Sequence, residues 1–274
     1  MGLRRSGRLS SQAGESPALR AVQAPSLGAA SKRLGVRKSA LPVACAAQAL
    51  AENVDPGLPA AKDRKAPAGA SREMENQLRA KGFANVAGVD EAGRGPLAGP
   101  VVAAACVISP HVDIPGVADS KIMTEEQREA AFQLLTTTPG VVWATCVIGE
   151  KEIDTINILQ AALKAMVGAT EALPSKADYV LALDPARSKC VVKGDSKVYA
   201  IAAASIIAKV TRDRIMLRYA EEYPGYGFEQ HKGYGVPAHV KAIRDLGPSP
   251  IHRRTFAPVK TWFPAGKAAP KERK

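Results

Sequence analysis

The sequence is poor in aromatic side chains and contains no long apolar run. Phe, Trp and Tyr together make up 5% of the 274 residues, whereas 46% of the residues are hydrophobic. Aliphatic packing must therefore dominate the core that a chain of this length can form. Since no apolar run approaches the roughly 18 residues needed to span a bilayer, we expect a soluble protein with no membrane partner.

Cysteine is also scarce. The four cysteines are widely spaced, with no CxxC motif and no histidine at the spacing of a zinc site. Three of them lie in apolar, strand-like runs, where a buried and reduced thiol is the expected state. The pattern fits a reducing compartment.

Acidic residues are almost missing from the N-terminal part, although the whole chain has a net charge of +12. Residues 1–50 contain eight Lys and Arg side chains but only Glu15 as an acid, and residues 260–274 are also basic. The middle of the chain is close to neutral. The positive charge is thus concentrated in the tails, and on its own it gives weak support for nucleic-acid binding.

The N-terminal segment 1–75 is predicted to be disordered, because it is rich in Ala, Ser, Pro, Arg and Lys and lacks apolar periodicity. A composition rich in Arg and Ser and poor in acids is typical of a transit peptide. The stretch 38–48 resembles plastid processing sites, with cleavage expected near Cys45–Ala47. We expect a chloroplast protein, with the mitochondrion as the alternative; a basic tail without a targeting role would leave it in the cytoplasm or nucleus. A short basic tail, 265–274, follows the folded part.

Between these tails the sequence predicts one α/β domain over residues 83–264. Strands are predicted at 86–90, 99–109, 141–149, 179–184 and 190–195, and helices at 157–173, 198–223 and 238–246. No signal for oligomerisation stands out, so a monomer is expected.

Three of the apolar strand-like runs end in acids, namely Asp90 with Glu91, Asp184, and Asp195. In open α/β sheets, functional side chains from different strands converge beyond the strand ends. Clustered carboxylates repel one another unless cations lie among them, and oxygen ligands of high charge select Mg²⁺ or Mn²⁺. Two such ions can activate a water and stabilise the leaving oxygen of a phosphodiester. The alternative is that each acid is an isolated helix cap or turn residue.

The segment "GRGPLAG" (93–99) follows the first two acids directly. It is no dinucleotide fingerprint, because the glycine spacing is G-x-G-x-x-x-G and a strand follows, and Pro100 rules out a phosphate-binding P-loop. A tight turn is left, whose bare backbone around Arg94 can approach a ligand closely. Because neighbouring strand residues point to opposite faces, Asp90 and Glu91 can share a site only where their strand ends or twists.

The chain resembles the bacterial type of ribonuclease HII in five motifs, which are "GVDEAGRGPLAGPVVAAA" (88–105), "DSK" (119–121), "VVKGDSKVYAIAAASIIAKVTRDRIM" (191–216), "YGFEQHKGYG" (226–235) and "HRRTFAPVK" (252–260). The resemblance covers residues 83–264. It implies a ribonuclease H-like fold, in which a mixed β-sheet is flanked by helices, with a C-terminal helical segment. It also implies an endonuclease that uses Mg²⁺ or Mn²⁺ to hydrolyse RNA in RNA–DNA hybrids and the phosphodiester 5′ to a ribonucleotide in duplex DNA.

The same resemblance assigns roles to individual residues. The acids that it implies as catalytic metal ligands are Asp90, Glu91, Asp184 and Asp195. The residues that it implies for substrate binding are Gly93, Arg94 and Gly95, whose backbone reads the 2′-hydroxyl, Lys121 near the phosphates, and Tyr234 on the sugar beside the scissile junction.

The sequence departs from the family pattern around two of these positions. Pro185 follows Asp184 where glycine is usual, only ten residues separate Asp184 from Asp195, and Val236 follows "HKGYG" where threonine is common. Two alternative functions stay open. The protein could be a catalytically inactive nucleic-acid-binding module, or it could be a DNA nuclease of the same fold. The complete set of carboxylates argues against the first, and the GRG segment with Tyr234 argues against the second.

Two further groups of charged residues need an interpretation. Asp213 lies in the middle of a predicted helix between Arg212 and Arg214, so we expect a structural salt bridge rather than another metal ligand. Arg253 and Arg254 belong to a basic cluster that fits either contacts to the duplex backbone or a solvated surface.

Overall fold

The computed structural model describes residues 70–182 and 194–264, with only the backbone of residues 44–47, 189–190 and 195–196. The strands in this part of the chain are β1 (Ala44–Ala47), β2 (Val86–Ala92), β3 (Val101–Ile108), β4 (Val141–Ile148), β5 (Tyr179–Ala182) and β6 (Lys189–Cys190). Its helices are α1 (Glu73–Ala80), α2 (Glu125–Thr137), α3 (Glu150–Ile156), α4 (Ile158–Glu171), α5 (Gly194–Lys197), α6 (Tyr199–Glu222), α7 (Phe228–His231), α8 (Pro237–Leu246) and α9 (Val259–Trp262).

The strands form one mixed sheet in the order β1-β4-β3-β2-β5-β6. β2, β3 and β4 form an antiparallel meander, whereas β5 pairs in parallel with the other edge of β2 and β6 pairs in parallel with β5. Helices pack on both faces of the sheet, and α7, α8 and α9 form the C-terminal part. This arrangement confirms the prediction of a mixed sheet flanked by helices with a C-terminal helical segment.

Alternate strand residues fill two separate core layers, because successive side chains point to opposite faces of the sheet. On β3, Ala104 and Cys106 join the core formed with α6 and α2. Ala103 and Ala105 join the core formed with α4 on the other face. Cys106 and Cys146 are buried, as the sequence predicted for cysteines in apolar strands, and burial raises the pKa of Cys106 to about 12.

The first turns of α6 pack directly on β2, and a glycine makes this approach possible. A Cβ atom on Gly88 would overlap backbone atoms of Ala200 and Ile201, so no larger residue fits there. The helix then follows β2 to the end of the strand, where Arg212 lies against Gly93. The close packing of α6 on β2 therefore carries an arginine side chain to the glycine turn.

The long elements agree with the sequence-based expectations. β2, β3, β4, α4, α6 and α8 begin and end within two residues of the predicted ranges. The strand predicted over residues 190–195 was wrong at its end, because Gly194 and Asp195 lie in the short helix α5; Cys190 belongs to β6, and residues 191–193 lie outside the described residues. Asp195 and Ser196 are residues that favour helix N-termini over strand interiors.

The folded part begins before the predicted boundary at residue 83. On α1, Leu78 packs with Val86 of β2, and the Glu75 carboxylate accepts a 2.9 Å hydrogen bond from the backbone amide of Ala200. Helix α1 thus attaches to both β2 and the start of α6. No helix in the described part of the chain is long and apolar enough to cross a membrane.

Strand β1 lies within the segment 1–75, for which disorder was predicted. It pairs antiparallel with β4 at the edge of the sheet, with Cys45 opposite Cys146. The other residues of this segment up to 69, and the tail 265–274, lie outside the described residues. Their disorder and the expected cleavage near Cys45–Ala47 stay predictions.

Candidate active site at the end of strand β2

Asp90 and Glu91 lie next to the C-terminal end of β2, which pairs with β3 through its last residue. Because this ladder is unbroken, the two side chains leave the strand on opposite faces. Asp90 shares the α6 face with Gly88. Glu91 shares the α4 face with Val89. The strand ends only after both acids, at the turn that begins with Gly93.

The other edge of β2 loses its partner next to these acids. Parallel pairing with β5 ends at Val89 and Ala182 in the described part of the chain, and Asp184 follows two residues later, outside that part. Since β2 and β5 are parallel, the last described residue of β5, Ala182, lies beside Val89, one residue before Asp90. Two carboxylates that start from opposite faces can approach one ion around such an edge.

The Glu91 carboxylate has one ion pair and one oxygen atom without a partner. Its Oε1 atom lies 3.2 Å from Nη1 of Arg94, and its Oε2 atom is buried with no hydrogen-bond partner among the described residues. Asp90 is also buried, with 4% of its surface exposed. A buried carboxylate oxygen without a donor has lost its hydration without compensation, and a cation would supply that compensation. The two acids therefore fit a hard divalent cation bound by oxygen atoms.

The side chains of the other two predicted metal ligands, Asp184 and Asp195, are not among those that the structure describes. Asp184 lies outside the described residues, and only the backbone of Asp195 is described, in α5. Among the side chains that the structure describes, no group of three or more His, Cys, Asp or Glu residues could hold a metal ion. The cluster of four carboxylates stays a prediction, of which the structure places two members at one strand end.

The turn after β2 is pressed against α6. Gly93 has a φ of +98°, a left-handed conformation that glycine adopts without strain. A Cβ atom there would overlap the side chain of Arg212 and would lie 2.7 Å from the carbonyl oxygen of Pro100. The first glycine of the predicted substrate-binding segment thus lets the backbone lie directly on Arg212.

Arg253 is fully buried beneath this turn and binds backbone carbonyl oxygens. Its Nη2 atom donates to Gly93 (2.6 Å) and Pro100 (3.2 Å), its Nη1 atom to Arg94 (3.0 Å) and its Nε atom to Gly99 (2.9 Å). One guanidinium group therefore joins the beginning and the end of a turn that lies 153 to 160 residues earlier in the chain.

Arg212 is a second buried arginine under the same turn. Its Nε atom donates to Pro100 (3.0 Å) and its Nη2 atom to Ala98 (3.2 Å), while its Nη1 atom is buried without a hydrogen-bond partner in the described part of the chain. Burial lowers the pKa of Arg253 to about 9, and the charge of Arg212 acts in the same direction. Burial also lowers the pKa of Arg212. Two guanidinium groups are thus stabilised by carbonyl dipoles that point at them from one turn.

The loop that carries Tyr234 closes the outer side of the turn. The amide of Leu97 donates to the carbonyl oxygen of Gly233 (2.8 Å), and a Cβ atom on Gly233 would lie only 2.7 Å from the carbonyl oxygen of Ala98. This contact places Cε1 of the Tyr234 ring 3.7 Å from the position that a Cβ atom of Gly95 would occupy. Tyr234 and Gly95, both predicted to bind substrate, therefore face each other.

Two buried histidines support the Tyr234 loop. The amide of Ser249 donates to Nδ1 of His252 (2.9 Å), so the proton of this ring lies on Nε2, which donates to Nε2 of His239 (3.0 Å). The proton of His239 then lies on Nδ1, which donates to the carbonyl oxygen of Tyr234 (2.9 Å). Burial is the main cause that lowers the pKa of His239 to about 4 and that of His252 to about 3.

Lys121 lies on an exposed loop that is anchored on the α6 face of the sheet. Its amide donates to the Asp119 carboxylate (3.0 Å), and its Nζ atom lies 3.9 Å from the same group. The flanking residues Ala118 and Met123 are buried in the core layer against which Ala92 also packs. The loop is thus anchored on the face of the sheet from which Asp90 projects.

Asp213 forms the structural salt bridge that the sequence predicted, although with another partner. Its Oδ1 atom lies 2.8 Å from Nζ of Lys209, one helical turn earlier. The neighbouring arginines point elsewhere, because Arg212 binds the glycine turn and Arg214 pairs with Glu129.

The interpretation of Arg253 as part of an exposed basic cluster was wrong. Arg253 is buried, whereas its neighbour Arg254 is exposed and anchored through its amide to the Asp154 carboxylate (2.7 Å). The structural roles of Arg212 and Arg253 were not predicted, because the sequence does not distinguish a buried arginine that binds carbonyl oxygens from an arginine on the surface. The position of Arg253 within a motif of the resemblance was the signal that it has a role in the site.

Comparisons with known proteins agree with these features. The family model for Ribonuclease HII matches residues 87–259, more than half of the chain. Ribonuclease HII of Geobacter sulfurreducens is 50% identical over 194 residues, which cover 69% of this chain and 89% of that protein. Ribonuclease HII of Bacillus licheniformis is 48% identical over 197 residues, which cover 70% of this chain and 76% of that protein.

Solved structures show the same fold. Ribonuclease H2 from Pyrococcus horikoshii OT3 superposes with a TM-score of 0.54 at 32% sequence identity, covering 65% of this chain and 96% of that chain. A chain of the PCNA:RNase HII complex from Archaeoglobus fulgidus gives a TM-score of 0.52 at 23% identity, covering 63% and 95% respectively. The predicted ribonuclease H-like fold is thereby confirmed.

Proposed function

Because this chain belongs to the ribonuclease HII family, we propose that it cuts the phosphodiester on the 5′ side of ribonucleotides embedded in duplex DNA. As a ribonuclease HII it is an endonuclease that hydrolyses the RNA strand of RNA–DNA hybrids. The finer activity on embedded ribonucleotides is supported above all by one observation: Cε1 of the Tyr234 ring lies 3.7 Å from the position of a Cβ atom on Gly95, in the turn whose Arg94 contacts the Glu91 carboxylate.

The proposed cofactor is Mg²⁺ or Mn²⁺, held by Asp90, Glu91, Asp184 and Asp195. The buried Glu91 Oε2 atom, which has no partner among the described residues, supports a cation at this place. When bound, two such ions polarise the scissile phosphate and lower the pKa of the attacking water. Since they prefer hard oxygen ligands, carboxylates suit them better than imidazole or thiolate groups do.

The residues of the chain have separate tasks in this proposal. Asp90 and Glu91 hold negative charge at the strand end, and Arg94 orients the Glu91 carboxylate through their 3.2 Å contact. Tyr234 packs on the sugar, and the backbone at Gly95 lies against its 2′-position. Lys121, on its exposed loop, contacts a substrate phosphate. Water then attacks in line with the leaving 3′-oxygen, which yields a 3′-hydroxyl and a 5′-phosphate.

Three end-labelled duplexes of one sequence test this function. One carries a single ribonucleotide, the second is its all-DNA twin, and the third is an RNA–DNA hybrid; each is incubated with Mg²⁺, with Mn²⁺ or with EDTA. We expect cutting of the first on the 5′ side of the ribonucleotide and cutting of the hybrid, both lost in EDTA. A polymerase should extend the products, because their 3′ ends carry hydroxyl groups.

The other outcomes identify the alternatives. Cutting of the all-DNA twin would contradict the proposal and favour a DNA nuclease of the same fold. Binding of all duplexes without any cutting would favour an inactive nucleic-acid-binding module.

We also propose that the N-terminal segment 1–75 directs the protein to the chloroplast, with the mitochondrion as the alternative and the cytoplasm or nucleus if it has no targeting role. The support is its composition, which is rich in Arg and Ser and contains few acids before residue 50. A fusion of residues 1–75 to a fluorescent protein would test the destination. The enzyme is proposed to act as a monomer on its duplex substrates.

A further inference from the structure

The turn after β2 contains two backbone amides that point away from the protein interior. The carbonyl groups of Gly93 and Arg94 both point at the buried Arg253. In a planar trans peptide the N–H group lies opposite the C=O group. The amides of Arg94 and Gly95, which belong to these two peptide groups, therefore point outward. Neither amide donates a hydrogen bond within the described part of the chain.

These two donors lie where the proposed substrate sugar would be. Cε1 of the Tyr234 ring lies 3.7 Å from the position that a Cβ atom of Gly95 would occupy, and the Arg94 side chain reaches the Glu91 carboxylate. A sugar oxygen that approaches the outer side of the turn beside the ring thus meets two backbone donors close to the proposed cation site. A backbone donor discriminates between ligands only when its direction is fixed before binding.

We propose that Arg253 is a positioning residue for ribose recognition, which fixes the direction of these two amides by binding the carbonyl groups of their peptide units. The inference rests on the proposed function. Arg253 is fully buried, so it acts through the turn and not by touching the substrate. Its fork of donors on three nitrogens reaches both ends of the turn at once, which the single ammonium of a lysine cannot do.

The second buried arginine supports a different part of the turn. The Arg212 side chain packs against Gly93, but its hydrogen bonds go to the carbonyl oxygens of Pro100 and Ala98, at the end of the turn, and not to the two peptide groups whose amides face outward. Replacing the Arg212 guanidinium group should therefore lower the stability of the protein more than it lowers the preference for the ribonucleotide duplex. The control of the two outward amides falls to Arg253.

The test compares the affinity of two duplexes in EDTA, where no cutting is expected. One duplex carries a single ribonucleotide and the other is its all-DNA twin, and fluorescence anisotropy gives both dissociation constants. In Arg253→Lys the preference for the ribonucleotide should fall about fivefold for each amide hydrogen bond that is lost. The affinity for the all-DNA twin should stay unchanged, whereas a merely structural role would weaken both duplexes alike.

Two variants serve as controls. Arg79 on α1 is a partly buried arginine that also donates to a backbone carbonyl, that of Ile108 (2.7 Å), away from the turn. Arg79→Lys should keep the wild-type preference, because the turn is untouched. Arg212→Lys should lower the melting temperature and keep most of the preference.

A second variant and a second measurement cover the case in which Arg253→Lys does not fold. Arg253→Gln keeps a planar group with two donors and removes the buried charge, and it should lose part of the preference. In the wild-type protein, hydrogen exchange should show that the amides of Arg94 and Gly95 exchange freely alone and become protected by the ribonucleotide duplex, but not by its twin.

The results separate this inference from the proposed function. A folded Arg253 variant with the wild-type preference would overturn the inference, and so would amides of Arg94 and Gly95 that are already protected in the free protein. A wild-type protein that neither prefers nor cuts the ribonucleotide duplex would instead contradict the proposed function.

Discussion

His239 and His252 share one 3.0 Å hydrogen bond between their Nε2 atoms, and the surrounding bonds allow a single arrangement of its protons. The amide of Ser249 points at Nδ1 of His252, and the carbonyl oxygen of Tyr234 accepts from Nδ1 of His239. A further proton on His252 would set an N–H group against the Ser249 amide. The pair therefore supports the Tyr234 loop only while both rings are neutral.

The first prediction is a loss of stability in mild acid. The pKa values of His239 and His252, about 4 and about 3, lie below the value of about 6.5 for an unfolded histidine. Between these pKa values the unfolded chain binds more protons than the folded protein does. The contribution of the two neutral rings to the free energy of unfolding is therefore fully present above pH 6.5 and decreases as the pH falls. We expect a loss of about 2 kcal/mol per histidine between pH 7 and pH 5.

Urea unfolding at several pH values, together with NMR titration of the imidazole C–H signals, measures this effect. The signals of His239 and His252 should stay at their neutral shifts from pH 7 to pH 5. Titration of either ring close to pH 6.5 in the folded protein would show that the pair is not held as described.

The second prediction separates two buried aspartates by the same chemical change. Asp90→Asn should lower the rate of cutting about 100-fold or more, because it removes a fixed charge from the proposed cation site, while duplex binding stays largely intact. Asp213→Asn breaks the ion pair with Lys209 and should reduce stability while the rate stays close to that of the wild type. Single-turnover cutting in Mg²⁺ and thermal melting measure the two effects. Near wild-type turnover of Asp90→Asn would remove it from the metal ligands.

The third prediction contrasts two glycines of the turn. Gly93→Ala should destabilise the fold by about 2 kcal/mol or more, since its φ is +98° and a Cβ atom would overlap Arg212. Gly95→Ala should fold normally, because its nearest neighbour would be Cε1 of Tyr234 at 3.7 Å. The added methyl group would occupy the gap proposed for the sugar, so kcat/KM should fall about 100-fold. Melting curves and steady-state kinetics check both changes; wild-type kinetics of Gly95→Ala would place the sugar elsewhere.

The fourth prediction concerns the ring of Tyr234, which is 42% exposed. Tyr234→Phe keeps the ring and should retain most of the activity. Tyr234→Ala removes the surface on which the sugar packs and should weaken kcat/KM by about 1–3 kcal/mol, the range measured for aromatic contacts to nucleotides. Equal losses in both variants would mean that the hydroxyl group, rather than the ring, contacts the substrate.

The parts of the fold that the sequence predicted are those with a regular apolar pattern. The valines and alanines of β2 and β3 form short apolar runs that are buried on both faces of the sheet, and α6 begins with a longer apolar run that is buried on all sides. Helix α2 was missed because few of its residues are apolar. Its start carries a local signal, since Thr124 and Gln127 form a capping box.

The supports of the site were not predictable from the sequence. Arg212 and Arg253 are buried and bind backbone carbonyl oxygens. Every residue has a backbone carbonyl group, so the sequence does not indicate which of them an arginine will bind. The His239–His252 bond likewise depends on two segments that only the fold brings together. Asp90 and Glu91 were predictable, because acids at the end of an apolar strand break the pattern by themselves.

The bonds from Arg253 to a turn 153 to 160 residues earlier have a consequence for biosynthesis. A ribosome adds roughly 5–20 residues per second, so the chain carries Asp90 and Glu91 for several seconds or longer before Arg253 exists. If Arg253 has the proposed role, the two amides of Arg94 and Gly95 have no fixed direction until then. Ribose recognition would thus be completed by one of the last segments to be made, and we expect a chain that ends before residue 253 to lack it even with both acids in place.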